Sequence, residues 1–243
     1  MRPPEEVQRR IETAGRAVAQ ALGDGLLCLA VYGSAAGEEF SPGHSDVNLL
    51  VVLRRVAFGD LRLIGETLRR EASSDLAFAT PLVVTPGFLR TARDTFPIEL
   101  ADIQRRHRVL AGDDLLRDLA VASERLREQA EREARTRLLH VRALALHRPP
   151  DAEVRRALAS LVPGFALIER ALTLGRGPAA PAGAGLFAEV GRRSGVSLRT
   201  LARLARMREG DEAWPEGGDL DDLLVSVLAE VEALVAFVDG YAA

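Results

Sequence analysis

The sequence predicts a small α+β domain followed by an all-α helical bundle, and three observations carry that expectation. Apolar strand-like runs occur at 26–32, 46–53 and 76–85, all in the first half of the chain. Amphipathic helical stretches are interleaved with them. Beyond about residue 113 only the helical period remains, with apolar residues recurring every three or four positions. The domains are therefore expected at 1–113 and 114–243.

Each element has its own justification. Residues 4–22 place Val7, Ile11, Ala14, Val18 and Leu22 on one stripe, and Gly23-Asp-Gly25 ends that helix. Strand 26–32 runs into Gly33-Ser34, which opens a short helix near Ala35-Ala36. The turn-rich Ser41-Pro-Gly-His44 leads to strand 46–53. A helix over 59–71 turns Leu61, Ile64 and Leu68 inward. The third strand, 76–85, is followed by a helical or irregular stretch reaching Arg108-Val-Leu110.

In the second half, Ser123 is expected to cap a long helix reaching His147. Its buried stripe is Leu126, Ala130, Ala134, Leu138, Val141 and Ala145. Its exposed side pairs Glu128 with Arg132, Glu131 with Arg135 and Glu133 with Arg137, which marks a solvated helix rather than a nucleic-acid surface. A second helix over 151–174 should be kinked or divided by Pro163-Gly164. The Gly-, Ala- and Pro-rich stretch 175–185 is an extended connection, with short helices near 186–193 and 197–208 after it. The last helix starts near Asp219 and carries Leu220, Leu223, Leu224, Val227, Leu228, Val231, Leu234, Val235 and Val238. That stripe is broad enough for a bundle centre or a homodimer contact.

Composition narrows the setting. A net charge of −3 on 243 residues gives no sign of a strongly basic surface for nucleic acid, which is not an expected partner. All 32 basic residues are Arg, so any basic contact to phosphate must be a guanidinium fork. The single Cys28 lies within an apolar strand and rules out an intrachain disulfide. No apolar run approaches the ~20 residues needed to span a bilayer, and residues 1–6 lack an apolar signal core. A cytoplasmic protein with no membrane contact is expected.

The chemistry concentrates around strand 46–53. Residues i and i+2 of a strand face the same way, so Asp46 and Asn48 present two oxygen donors side by side. The Gly33-Ser34 turn, separated from Asp46 by eleven residues, offers backbone N–H groups to a phosphate. His44 and Ser45 adjoin the donors. His44 can touch a phosphate, order the loop or stand solvated.

Gly33-Ser34, the spacer and His44-Ser45-Asp46-Val47-Asn48 ahead of an apolar strand resemble the signature of the DNA polymerase β-like nucleotidyltransferase superfamily. Within it, the motif is most similar to the aminoglycoside (kanamycin-type) nucleotidyltransferases and their bacterial relatives. The resemblance is specific over 29–53, softer from Phe96 to Gly112, and beyond about 120 implies only that a helical domain follows. It implies transfer of a nucleoside monophosphate from ATP or another nucleoside triphosphate to a hydroxyl. Two Mg2+ ions held by three carboxylates would assist. Gly33 and Ser34 would hold the triphosphate, with Ser45 and His44 beside them, and Asp46 would be the first metal carboxylate. The acceptor, a small molecule or a protein hydroxyl, would enter the cleft between the domains.

Two of the three acids are absent from the pattern. Asn48 stands where the second is expected, and strand 76–85 contains none. Asp75, Asp94, Glu99 and Asp102 lie near it without the apolar–acid–apolar strand context. Mg2+ is commonly held by one or two carboxylates plus substrate phosphates. Two such ions roughly 3.5–4 Å apart need carboxylates between them. Asp46, Asn48 and a triphosphate therefore suit one ion and not two.

The principal expectation is a nucleotidyltransferase-like protein, a pseudoenzyme or nearly so, that binds a magnesium nucleotide. One alternative is an active enzyme with a rearranged metal site that recruits Glu99 or Asp102. Another is a non-catalytic interaction scaffold, motivated by the last helix. Arg105, Arg106 and Arg108 are candidates for the triphosphate or for a solvated face. His107, His140 and His147 have no metal-ligand spacing. No Walker loop, dinucleotide fingerprint or Gly-x-Ser-x-Gly elbow is present.

Overall fold

A computed structural model of the chain describes residues 3–37, 46–73, 76–173 and 184–240. They form two compact units, 1–121 and 122–243.

The first unit is built on a four-stranded sheet. The strands are β1 (Leu26–Tyr32), β2 (Asn48–Leu53), β3 (Leu82–Val84) and β4 (His107–Gly112), in the order β3-β2-β1-β4. β1 is antiparallel to both neighbours, with Tyr32 opposite Asn48 on one side and opposite His107 on the other. β2 and β3 are parallel. Both faces of the central strands are buried, as their nearly unbroken apolar sequence requires.

On one face, Leu29, Val31, Leu49 and Val51 pack with Ile11, Ala14 and Val18 of α1 (Glu5–Leu22) and Ile64 and Leu68 of α2 (Phe58–Glu71). The other face carries Cys28, Ala30, Leu50 and Val52. They lie under Leu89 of α3 (Pro86–Thr91), Leu100 and Ile103 of α4 (Pro97–Arg105), and Leu116. Leu61, expected inward, is 43% exposed at the end of the α2 stripe. The Asp60 carboxylate accepts the Ala57 N–H at 2.9 Å and fixes the start of α2.

The stretch expected to be helical or irregular up to residue 110 contains α3, α4 and an additional edge strand, β4. β4 has weak strand composition and no fully buried residue, as suits an edge strand paired with β1 alone. Expected strand 76–85 is reduced to 82–84, preceded by an isolated parallel bridge between Val47 and Phe78.

The second unit is helical: α5 (Ser123–His147), α6 (Asp151–Thr173), α7 (Ala184–Ser194), α8 (Arg199–Glu209) and α9 (Gly217–Asp239). α5 packs along both α6 and α9. Ser123 is the first helical residue and not the cap, which is Ala122. Leu126, Ala130, Ala134, Leu138 and Val141 are buried as expected, whereas Ala145 is exposed in the final turn. Glu131 pairs with Arg135 and Glu133 with Arg137, each at 2.9 Å, while Glu128 turns back to Arg125 at 2.7 Å. α6 is one continuous helix through Pro163. Most of connection 175–185 lies outside the described residues.

Arg148 holds the α5–α6 corner in the left-handed region (φ +40°) and pairs with both Asp151 and Asp221. The apolar stripe of α9 is buried within this unit: Leu220, Leu223, Leu224, Val227, Val231, Leu234, Val235 and Val238 are all covered. The stripe thus serves as a bundle centre, with Leu228 at its half-buried margin. No helix among the described residues is long and apolar enough to cross a membrane.

Gly112 closes β4 at φ +79°, and a Cβ there would sit 2.2 Å from the Leu27 carbonyl oxygen. The Asp113 N–H donates to that same carbonyl at 2.9 Å, so the backbone has no room to yield. Backbone strain of this kind costs roughly 1–3 kcal/mol before any overlap is relieved. Gly112→Ala is therefore expected to lower stability by at least ~2 kcal/mol, read as the shift in a urea unfolding midpoint.

Candidate functional site

The site lies where β1 ends and β2 and β4 begin. β1 stops at Tyr32, and the chain turns at Gly33 in the left-handed region (φ +73°), which a side chain disfavours. The Gly33 N–H donates to the Arg106 carbonyl at 3.0 Å, tying the turn to the end of α4. Residues Gly33–Ala36 form a single 3-10 turn anchored by buried Ala35, and the Gly37 N–H donates to the Ser34 carbonyl at 3.2 Å. Ser34 is half-buried at its open side.

Across from Tyr32, Asn48 begins β2. A Cβ on Gly33 would lie 3.5 Å from Asn48 Nδ2, so the amide rests directly against the turn. Val47 is fully buried among the α1 and α2 side chains. Its N–H donates to the Ala77 carbonyl at 2.8 Å and its carbonyl accepts the Ala79 N–H at 3.1 Å. With Val47 turned inward, the strand alternation carries Asn48, Leu50 and Val52 to the opposite face. Asp46 precedes Val47 and is exposed; Asn48 is half-buried. The structure thus places Asn48 against the Gly33-Ser34 turn, with Asp46 two residues before the strand. His44 and Ser45 lie outside the described residues.

Sequence reasoning did not foresee what lines the α4 side. Tyr32 packs against the core on the same face as Asn48. Its phenol is pushed above its ordinary value, first by burial and then by the negative charge of Asp102. Asp102 accepts from Arg106 Nη2 at 2.7 Å, and the two side chains are only 14% and 11% exposed. Asp102 is thus already ion-paired with a guanidinium. Arg108 faces away and pairs with Glu12 of α1 at 3.4 Å. Among the described residues no cluster of three His, Cys, Asp or Glu could hold a metal ion.

His107, opposite Tyr32 in β4, is held at both ring nitrogens: Nδ1 to the Gln104 carbonyl at 2.8 Å and Nε2 to the Asp114 carboxylate at 3.1 Å. Both ring nitrogens are thereby engaged, which fixes the orientation of the imidazole. Desolvation alone would raise the Asp114 carboxyl. The His107 hydrogen bond and the Leu116 and Arg117 N–H groups outweigh it and leave the group below its ordinary value.

The mixed four-stranded sheet with its helices, followed by a helical region, is a nucleotidyltransferase fold. One solved structure of similar fold is spectinomycin adenyltransferase AAD(9) from Enterococcus faecialis, determined with ATP and spectinomycin. Its TM-score is 0.59 at 12% sequence identity, covering 96% of this chain and 99% of that one. At such identity the likeness establishes the fold. No protein-family model matches the chain, and no curated protein matches it.

Two predictions follow from the α4 side of the site. Asp102→Asn removes one of the two influences raising the Tyr32 phenol. The Tyr32 titration, read by tyrosinate absorbance, should move down yet stay above its ordinary value, because burial persists. Asp114 has a depressed native carboxyl, so its contribution to stability is complete above the unfolded value of about 3.9. It is lost as pH falls through the lower native value. Melting temperatures across that acid limb should fall less steeply in Asp114→Asn than in the wild type.

Proposed function

We propose that the chain is a nucleotidyltransferase-like protein that binds a magnesium nucleoside triphosphate and transfers its nucleotidyl group slowly or not at all. The observation that carries this reading is Asn48. It sits against the Gly33 turn on the face where the sequence resemblance expects a metal carboxylate. The fold supports nucleotide binding, since the similar solved structure was determined with ATP.

The donor set can be tested against the metal. Asp46 supplies one charged oxygen and Asn48 a neutral carbonyl, and no three-acid cluster accompanies them among the described residues. Mg2+ keeps waters and substrate phosphates in its octahedral shell, so one carboxylate and one amide suit an ion that arrives with the triphosphate. A second ion, which would polarise the acceptor hydroxyl, has no anionic bridge here. When bound, the single ion would neutralise phosphate charge.

The chain's own residues do the rest. Gly33 lets the backbone approach the phosphates, and Ser34 offers a hydroxyl. Asp46 and Asn48 orient the ion-bearing end of the nucleotide. Asp102 already holds Arg106 at 2.7 Å and is only 14% exposed, so it offers little access to an acceptor hydroxyl. The acceptor on this reading is a hydroxyl of a small molecule or a protein.

Calorimetric titration with ATP and GTP, with and without Mg2+, tests the site. Asp46→Ala should weaken magnesium-dependent binding at least tenfold, about 1.4 kcal/mol. Unchanged affinity in that variant would sink the assignment. Asn48→Asp should raise pyrophosphate release above the wild-type level. A wild type that already releases pyrophosphate at several turnovers per second, a rate usual for enzymes, would instead establish an active transferase.

A further inference from the structure

The α7–α8 hairpin carries a combination of features that nucleotide binding does not use. Its two helices are joined by only four residues, 195–198. Gly195 lies at φ +74° and its N–H donates to the Gly191 carbonyl at 3.0 Å. The Ser194 hydroxyl donates to the Val190 carbonyl at 2.8 Å and accepts the Val196 N–H at 3.1 Å. A Cβ on Gly191 would come within 3.0 Å of the Val196 carbonyl oxygen, so the turn closes tightly onto α7. Val190, Leu198, Leu201 and Leu204 are buried beneath. Two short helices, a four-residue turn with a left-handed glycine and an apolar inner side have the connection of a helix-turn-helix. In that arrangement the second helix enters the major groove, with its N-terminal residues toward the bases.

The outer side of the hairpin has the charge this role needs. Arg192, Arg199, Arg203 and Arg206 rim a cleft of about 690 Å³ whose floor is apolar, with Phe187, Leu198 and Ala202 buried in it. Arg199, Arg203 and Arg206 follow one face of α8. Arg203 and Arg206 both grip Glu212, at 2.7 and 3.1 Å, and Arg192 pairs with Glu189. Arg199 forms no ion pair among the described residues. Glu230 faces the same helix from α9 and accepts the N–H groups of Thr200 at 2.8 Å and Leu201 at 3.0 Å. The Glu212 carboxylate fills a guanidinium fork of the kind that binds phosphate equally well.

We propose that the α7–α8 hairpin docks on duplex DNA through α8, with the four arginines on the backbone phosphates and Glu212 displaced from the Arg203–Arg206 fork. The overall charge of −3 averages over this concentration of arginines. Four cations against Glu189, Glu212 and Glu230 leave a small local excess. Non-specific affinity is therefore placed at the weak end of the usual range, ~10⁻⁴ M at physiological salt, and is tightened at low salt. The proposal is independent of the nucleotide site in the first unit.

The test is fluorescence anisotropy of a labelled duplex of about two helical turns, titrated with the full chain from about 50 to 200 mM salt. A single strand of the same sequence and inorganic phosphate at matched ionic strength are measured alongside. The wild type should bind the duplex more tightly than the single strand, with affinity falling steeply as salt rises. Glu212→Gln should tighten binding about threefold or more by freeing the fork. The double variant Arg199→Ala and Arg203→Ala, checked by its melting curve, should weaken binding at least tenfold. It should also reduce the salt slope by about 1.8, two phosphates at ~0.9 each. The proposal is overturned if the wild type and Glu212→Gln both fail to bind at about 50 mM salt. It is equally overturned if the folded double variant binds as the wild type does, if the single strand binds as tightly, or if inorganic phosphate displaces the duplex.

Discussion

Everything at the candidate site depends on the two-residue alternation of β2. Val47, Leu49 and Val51 are driven under α1 and α2, and Leu50 and Val52 under α3 and α4. A strand buried on both sides has no freedom to slip, because a shift of one residue would exchange every side chain between faces. Asn48 is therefore obliged to stand on the α4 side, beside Tyr32 and the Gly33 turn. The core thus fixes the direction of a polar group that contributes nothing to core packing.

The same argument explains which parts of the fold could be read in advance. β1 and β2 are continuous apolar runs flanked by glycine or polar turns, so β1 has the expected bounds, while β2 starts at Asn48, two residues later than the expected Asp46. α1, α5 and α9 bury broad stripes over many turns, so their period is unmistakable. β4 escaped because its pattern is set by its partner: His107 and Arg108 are tolerated at an edge where β1 supplies the hydrogen bonds. Pro163 was expected to interrupt α6, yet packing on α5 keeps the helix continuous. Ser123 lacks the capping role because the extended backbone needed for a cap falls one residue earlier, at Ala122.

The site was partly legible for the same reason. Gly33 and Asn48 were visible because turn chemistry and strand period act over short distances. Tyr32 beside Asp102, and His107 beside Asp114, depend on how β1, β4 and α4 meet in space, which no local spacing encodes. Only the Asp102 and Arg106 pair was open to sequence reasoning, as an i,i+4 ion pair on one helix. Its effect on Tyr32 was not.

Cys28 sits in β1, fully buried between the strands that flank it, and burial raises its thiol further from the reactive thiolate. With no second cysteine in the chain, this sulfur is a reporter that nature has placed at the centre of the sheet. An alkylating reagent can reach it only when the sheet opens. The rate of thiol modification is then a clock for the opening of the first unit alone, readable by mass without a label, while the helical unit stays silent.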